Sequence, residues 1–283
     1  MTNIKQARQH SRAPISVIIP CYQAEKTLLR AVKSIFEQSC QVSEIIIIDD
    51  GCTDNTLHIA KQLALNYKDH ISIIHFNLNK GVSEARNAGW NKASYPYIAF
   101  LDADDVWHPR KIEIQYNFVI SNPNYDLVGH EHQIKIPTSE AFDALPLNFK
   151  SISIGRLKML FFTPFAVPTV MIKKNIAYRF NAKMRYAEDY LLWLQIVFSG
   201  KEACKILLPL AATFKPNYGA SGLSANMFEM EKGVQQAYKN LYQEHFISKI
   251  TLIFFIIFSS FKFLRRLLMK NIKSFFMGKN RYL

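Results

Sequence analysis

Cysteine is scarce in this sequence and provides no structural framework. The four cysteines, Cys21, Cys40, Cys52 and Cys204, lie far apart among the 283 residues and form no C-x-x-C pair. This spacing argues against a zinc ribbon and against a set of structural disulfides. We therefore expect reduced thiols that are mostly buried.

Long apolar segments are missing as well. Residues 1–13 are polar and basic, and the apolar run at residues 15–19 is too short for the hydrophobic region of a signal peptide. Near the end of the chain the densest apolar run covers residues 250–258. That run is shorter than the roughly 20 residues that a membrane-spanning helix needs. The sequence thus predicts a protein that stays in the cytosol.

Residues 246–283 contain no acidic side chain. They hold eight Lys or Arg, and thus +8 of the net charge of +13, which leaves +5 for the rest of the chain. A nucleic-acid-binding protein would spread its basic residues over one face of the fold, often together with stacking aromatics. Because the excess sits in the tail instead, the sequence predicts no nucleic-acid partner.

The tail also has a helical pattern with one apolar and one cationic stripe. The apolar stripe consists of Ile250, Phe254, Ile257, Phe261, Leu264, Leu268, Ile272 and Phe275, and the cationic stripe of Lys262, Arg266, Lys270 and Lys273. A helix of this kind lies in the interface of an anionic membrane, with its cations near the headgroups. The alternative is a helix that docks on the protein's own core.

The first hundred residues alternate between strand and helix patterns. Four short apolar runs have the composition of strands buried on both faces, at residues 15–20, 44–51, 71–76 and 97–101. Helical patterns separate the runs, at residues 25–38, from Asp54 to about residue 65, and from residue 82 onward. Parallel strands need such crossovers, so we predict a doubly wound α/β sheet with helices on both faces.

Acidic residues follow directly after two of these strands. They are Asp49, Asp50, Asp102, Asp104 and Asp105. Ligands bind at the carboxyl ends of strands in open α/β sheets, and clustered carboxylates suit Mg²⁺ or Mn²⁺. The alternative is an acidic turn before a helix that begins at Pro109. A Rossmann dehydrogenase is excluded because no G-x-G-x-x-G follows the first strand.

The second half of the chain is less regular. Strands are predicted at residues 126–136, 165–173 and 203–214, and an apolar helix follows Glu188 and Asp189 up to Gly200. Acids in a first helical turn commonly interact with the helix dipole. The pattern favours mixed or antiparallel additions to the sheet over a further strand–helix unit.

Five segments add a more specific pattern. They are SVIIPCY at residues 16–22, IDDG at 48–51 with Asp54, GVSEARNAG at 81–89, FLDADD at 100–105 and AED at 187–189. In this order they resemble family 2 glycosyltransferases of the GT-A fold, over about residues 15–231. The resemblance implies a nucleotide-sugar-binding half at residues 14–105, an acceptor-binding half of the same domain at 106–231, and a basic helical tail at 232–283.

The resemblance also implies roles for individual residues on the donor side. The residues matched to the nucleotide sugar are Pro20, Tyr22, Asp49, Asp50, Arg86, Asp102 and Asp104. In the D-x-D match, Asp104 would bind Mn²⁺ or Mg²⁺ with help from Asp102, and Asp49 or Asp50 would accept a hydrogen bond from the base. For Arg86 the alternative is an ion pair with an acid at the sheet edge.

On the acceptor side, Asp189 matches the family's general base, and its neighbour Glu188 would orient it or cap the helix. Residues 219–224 resemble a donor-side loop, but Tyr218 and Gly219 stand where many relatives have a basic residue. The resemblance thus implies a metal-dependent, inverting transfer from a UDP-sugar to a polysaccharide or lipid-linked acceptor, at the inner face of the cell membrane. An inactive glycan-binding relative is the alternative, although Asp104 and Asp189 are both present.

Overall fold

The computed structural model describes residues 12–134, 142–146, 148–214 and 226–279, with side chains up to residue 269. Four sequence-based expectations lie outside these ranges: the leader before residue 12, the end of the strand predicted at 126–136, the loop at 219–224, and the last residues of the tail. The side chains of Lys270, Ile272, Lys273 and Phe275 are likewise outside the described part.

The described residues form nine strands and eight α-helices. The strands are β1 (Ala13–Cys21), β2 (Val42–Asp50), β3 (Ile71–Phe76), β4 (Tyr97–Phe100), β5 (Val106–Trp107), β6 (Tyr125–Ile134), β7 (Ser151–Ser153), β8 (Met171–Lys173) and β9 (Glu202–Thr213). The helices are α1 (Leu28–Phe36), α2 (Thr56–Asn66), α3 (Val82–Lys92), α4 (Lys111–Ser121), α5 (Arg156–Phe161), α6 (Glu188–Phe198), α7 (Met227–Gln243) and α8 (Lys249–Lys279).

The predicted parallel half of the sheet is confirmed. β3, β2, β1 and β4 are neighbours in that order, and all of their pairings are parallel. Ile18 of β1 pairs with Ile46 on one side and with Phe100 on the other. Because the strands run in the same direction, their acidic carboxyl ends meet at one edge of the sheet.

The second half continues the same sheet with mixed pairing, as predicted. β8 is antiparallel to β4 and β6, while β9 is parallel to β6 and antiparallel to β5 and β7. The strand predicted at residues 165–173 is wrong for most of its length, since only Met171–Lys173 is a strand. Val167–Thr169 is a 3₁₀ turn instead, because Pro168 lacks an N–H for a ladder and fixes its own φ.

Helix bounds differ from the prediction by a few residues. α1 is shorter than the amphipathic pattern at 25–38, and α4 begins at Lys111 instead of Pro109. The N-cap of α2 is Asn55 instead of the predicted Asp54, which lies one residue earlier and accepts a hydrogen bond from the backbone N–H of Thr56 at 3.0 Å. Of the four free thiols, Cys21 and Cys204 are buried while Cys40 and Cys52 are partly exposed, so burial was predicted correctly for two.

Two apolar cores lie on opposite faces of the sheet. Val17 and Ile47 belong to the core that includes α1 and α2, whereas Ile18 and Ile48 belong to the core that includes α3 and α6. α3 lies close to the sheet at Gly89, where a Cβ atom would come within 2.6 Å of the Ile18 side chain. The N–H groups of Lys80 and Gly81 donate to Asp50 at the end of β2, which places the N-terminal end of α3 at the carboxyl end of that strand.

The tail is a helix that docks on the fold by one face. Phe255 is only 3% exposed and belongs to the core around α6. Lys262 Nζ donates a hydrogen bond to the carbonyl oxygen of Phe161 at 2.8 Å, and Arg266 pairs with Glu231 at 3.2 Å. The prediction that Lys262 and Arg266 reach lipid headgroups is therefore wrong, because both face the protein. Within the described part of the chain, no helix is long and apolar enough to cross a membrane.

Candidate active site

The candidate site lies at the carboxyl edge of the parallel strands. Cys21, the last residue of β1, pairs with Asp49 of β2, and the N–H of Leu101 donates to the carbonyl oxygen of Ile18 at 3.0 Å. The acids that follow β2 and β4 therefore flank the end of β1. Pro20 is buried there, whereas the Tyr22 side chain is 57% exposed and can offer its ring to a planar ligand.

The two neighbouring acids of β2 have different surroundings. Asp49 is fully buried, its Oδ2 lies 2.6 Å from His75 Nδ1, and its Oδ1 has no hydrogen-bond partner. Asp50 accepts from the backbone N–H groups of Lys80 and Gly81, at 2.7 and 3.0 Å. Asp50 thus fixes the turn that leads into α3, while the Asp49 carboxylate lies out of solvent beside His75.

A glycine makes the turn after these acids possible. Gly51 has a φ of +67°, and a Cβ atom there would lie 2.4 Å from the backbone nitrogen of Asn79. Any other residue would be strained in this conformation and would push the loop of Asn79 away from Asp50. The glycine in the IDDG segment is therefore explained by close approach of the two loops.

Arg86 joins the end of β4 to the start of α6. It is 4% exposed, and its two terminal nitrogens donate to Asp102 Oδ1 at 2.8 Å and to Glu188 Oε1 at 3.1 Å. Its guanidinium also lies 5.2 Å from the centre of the Phe180 ring. The structure therefore contains the ion pair that was considered as an alternative role, between Arg86 and Asp102 at the sheet edge. Arg86 also forms a second ion pair, with Glu188.

Asp189 lies next to this buried ion-pair cluster. Its Oδ1 accepts a hydrogen bond from the backbone N–H of Tyr190 at 2.7 Å. Burial raises the pKa of the Asp189 carboxyl, and the positive charge of Arg86 opposes that shift. Burial also raises the pKa of Glu188, to about 7, with a further contribution from the negative charge of Asp189. Glu188 is thus the carboxyl of this pair that exchanges a proton near neutral pH.

The D-x-D residues lie in a tight turn after β4. The N–H of Asp105 donates to the carbonyl oxygen of Asp102 at 3.0 Å, and Arg30 donates to the carbonyl oxygen of Asp104 at 2.8 Å. Among the described residues no group of three or more potential metal-ligating side chains converges. Two carboxylates still fit a divalent cation of the Mg²⁺ type, which proteins commonly hold with one or two carboxylates together with substrate phosphates.

Sequence reasoning missed two contacts in this site. His75 bonds Asp49 although nothing in the β3 sequence distinguishes it, apart from its register opposite Asp49. The pairing of Glu188 with Arg86 spans 102 residues of sequence, and no local spacing indicates it. The hint available was that Glu188 and Asp189 are adjacent acids, of which one was expected to have an orienting role.

The sequence profile "Glycosyl transferase family 2" matches residues 16–184 of the chain. The chain belongs to this family. Among curated family members, it is 28% identical over 193 residues to "UDP-Glc:alpha-D-GlcNAc-diphosphoundecaprenol beta-1,3-glucosyltransferase WfgD" of Escherichia coli. That alignment covers 65% of this chain and 69% of WfgD. A family 2 chain with these matches is a glycosyltransferase enzyme.

Two solved structures share the fold. Staphylococcus aureus TarS 1–349 in complex with UDP-GlcNAc superposes with a TM-score of 0.63 at 16% identity, covering 80% of this chain and 66% of that one. The mannosyltransferase PcManGT of Pyrobaculum calidifontis, in complex with GDP-Man and Mn²⁺, superposes with a TM-score of 0.61 at 17% identity, covering 82% and 65%. The fold of this family 2 enzyme is therefore GT-A, as its sequence implied.

Proposed function

We propose that the chain is an inverting, metal-dependent glycosyltransferase that moves a sugar from a UDP-sugar to a polysaccharide or lipid-linked acceptor. The observation that carries this proposal is the continuous set of contacts from Asp102 through Arg86 to Glu188, which holds the D-x-D segment beside Asp189. A donor-binding acid and a candidate base are thereby fixed relative to one another, as in-line displacement requires.

Asp189 is proposed as the general base. It would take the proton of the acceptor hydroxyl while that oxygen attacks the anomeric carbon from the face opposite the diphosphate, which inverts the configuration. Two observations support this role. Asp189 lies in the N-terminal turn of α6, and burial raises the pKa of its carboxyl, which makes the carboxylate a stronger base. Glu188 would keep Arg86 in place and thereby position Asp189.

On the donor side, Asp104 and Asp102 would hold Mn²⁺ or Mg²⁺. When bound, such a cation neutralises the negative charge that develops on the diphosphate leaving group. Asp102 also accepts from Arg86, so its carboxylate is oriented before any ligand arrives. The Mn²⁺ in the PcManGT complex supports the same cofactor class here.

The nucleotide would bind at the ends of β1 and β2. The exposed ring of Tyr22 could stack on the base above Pro20, and the acid pair Asp49 and Asp50 would accept from a base N–H group. Uracil has such a group at N3, and the donor named for WfgD is a UDP-sugar. The N-terminus of α3 at Gly81 also supports a nucleotide site here, because a helix N-terminus favours anionic groups such as phosphates.

The acceptor and the place of reaction are proposed from the relatives and from the tail. WfgD is named for transfer to a diphosphoundecaprenol-linked sugar, which is a lipid-linked acceptor. Residues 246–283 carry eight Lys or Arg and no acid, and those other than Lys262 and Arg266, which contact the fold, suit attachment to the anionic inner face of the cell membrane. We propose peripheral association there and no nucleic-acid partner.

A thermal-shift screen across nucleotide sugars, with and without Mn²⁺, tests the donor assignment. A ligand that binds only the folded state raises its stability by mass action, by about 2.7 kcal/mol at a hundredfold excess over its Kd. We expect UDP-sugars to raise the melting temperature more with Mn²⁺ than without it. Stabilisation by no nucleotide sugar at all would overturn the proposal, and stabilisation without any transfer product would indicate an inactive binding relative.

A further inference from the structure

One face of α8 is apolar and exposed. The helix packs on the fold through Phe255 and Ser259, which are 3% and 4% exposed. The opposite side, here called the outer face, is 49–82% exposed and consists of Ile250, Ile253, Phe254, Ile257, Phe261, Leu264 and Leu268. A continuous apolar stripe of this length on a protein surface marks a binding site.

The short helix α5 extends this apolar surface. Phe161 of α5 contacts the ring of Phe254 on the outer face, with ring centroids 6.4 Å apart, and the ring of buried Phe255 at 5.0 Å. Leu157 lies four residues before Phe161, hence on the same side of α5, and is 70% exposed. Phe162 is 66% exposed and its ring centre lies 5.7 Å from Lys262 Nζ. Leu157 and Phe162 form what we call the α5 edge.

The backbone of α5 is hydrogen-bonded to the helix that carries Asp189 and to α7. The hydroxyl of Tyr190, the next residue after Asp189, donates to the carbonyl oxygen of Met159 at 2.7 Å. The hydroxyl of Tyr238 donates to the carbonyl oxygen of Leu160 at 2.9 Å. Both tyrosines are buried. The apolar surface and the candidate base therefore belong to one packed unit of α5, α6, α7 and α8.

The charges around the outer face and the α5 edge indicate which partner binds there. The described sequence of α8 holds seven Lys or Arg and no acid. Lys249 and Arg265 are exposed on the helix, and Lys158 is exposed on α5. A second copy of the chain would bring the same cations face to face, which is repulsive in a two-fold interface. An anionic lipid surface complements both the apolar stripe and the cations around it.

We propose that the outer face of α8 and the α5 edge together dock on an anionic bilayer, and that this docking presents the Asp189 side of the site to acceptors held in the membrane. The part of this inference that concerns the acceptor rests on the proposed function. The part that concerns the docking surface rests on the exposure and charge of its residues alone. Lys262 and Arg266 face the fold, so among the described side chains the cations placed to meet lipid are Lys249, Arg265 and Lys158.

Vesicle binding of the full-length chain tests the docking surface. Vesicles of phosphatidylglycerol and phosphatidylcholine would be pelleted at low salt with wild type, with Phe261→Ser/Leu264→Ser on the outer face, and with Leu157→Ser/Phe162→Ser on the α5 edge. Leu29→Ser/Leu78→Ser is the matched control, because both leucines are exposed elsewhere on the fold. We expect about tenfold weaker binding for each of the first two double variants and no change for the control.

Three results would overturn the docking surface: wild type that does not pellet, outer-face variants that pellet like wild type, or a wild-type dimer in solution that the outer-face substitutions dissociate. An α5-edge variant that pellets like wild type would overturn the part assigned to α5. Thermal unfolding of each variant shows whether it is folded.

The acceptor side is tested with the same α5-edge variant. We expect slower transfer to an acceptor embedded in vesicles, with unchanged stabilisation by a UDP-sugar and Mn²⁺. Equal transfer rates for this variant and wild type would overturn the acceptor-side assignment. If wild type did not bind the UDP-sugar at all, the proposed function would be contradicted. The vesicle experiment would still test the docking surface independently.

Discussion

Arg86 and Glu188 form a buried ion pair, 3.1 Å from nitrogen to oxygen, between the second turn of α3 and the first residue of α6. The same guanidinium holds Asp102 at 2.8 Å. One side chain thereby joins the first acid of the D-x-D segment to the helix of the candidate base. Because all of these groups are largely out of solvent, a displaced charge is costly and the geometry is held firmly.

Arg86→Lys tests whether activity depends on the two-carboxylate bridge made by Arg86 or on its positive charge alone. A lysine keeps the positive charge but cannot present a planar fork to two carboxylates. We expect kcat to fall by about 10²-fold, since small displacements of positioned groups have effects of that size. Arg110→Lys is the control, because the ion pair of Arg110 with Glu113 is exposed. Full activity of Arg86→Lys would show that positive charge alone is sufficient.

The pH dependence of kcat should follow the carboxyl pair of α6. Burial raises the pKa of Glu188 to about 7 and raises that of Asp189, so the pair retains a proton at acid pH. A base must be unprotonated, and because the pKa of Asp189 is raised by burial, kcat should fall on the acid side at a higher pH than an ordinary carboxylate would cause. In Glu188→Gln, Asp189 ionises without a second negative charge beside it, so the acid limb should move to lower pH. An unmoved limb would contradict the coupling of the two carboxyls.

Asp104→Asn tests the metal assignment. The side chain follows the end of β4 and contributes little to either apolar core, so the variant should stay folded. We expect loss of most transfer and loss of the Mn²⁺-dependent part of UDP stabilisation in a thermal-shift measurement. Asp69→Asn, at an exposed position, is the control. Near wild-type transfer by Asp104→Asn in the presence of Mn²⁺ would contradict the assignment.

Two phenylalanines of α8 give a matched test of how the tail is docked. Phe255 is 3% exposed and Phe261 is 67% exposed. Phe255→Ala should lower the free energy of unfolding by about 3 to 5 kcal/mol, whereas Phe261→Ala should change it by less than about 0.5 kcal/mol. Urea unfolding of both variants measures the difference. Similar losses for the two would mean that α8 is buried on both faces.

The parallel half of the fold could be predicted from the sequence because each of its strands is a short, mainly apolar run, and acids mark the ends of β2 and β4. Ile71–Phe76 agrees with the prediction residue for residue. The 3₁₀ turn at Val167–Thr169 could not be predicted, because the apolar composition of that segment fits a strand as well as a turn. Pro168 decides between the two. The composition of a short apolar run does not define its hydrogen bonding.

The candidate site was predictable as a set of residues and not as a set of contacts. Asp102 and Asp189 were identified by their segments, but the pairing of Arg86 with both Asp102 and Glu188 depends on tertiary packing of α3 against α6. The tail shows the same limit. Its helical stripes were visible, yet Phe255 on the other side is apolar too, so periodicity alone did not tell which face docks.

The most direct test of glycosyl transfer at this site is steady-state kinetics of Asp189→Asn, with UDP affinity measured on the same preparation. A positioned general base contributes about 10²- to 10⁴-fold to the rate. We predict that kcat falls by that factor while the Kd for UDP in the presence of Mn²⁺ stays within about twofold of wild type, because the Asp189 side chain is assigned to the acceptor. Equal losses in UDP binding and in turnover, or a kcat close to wild type, would contradict the role of Asp189 as the base.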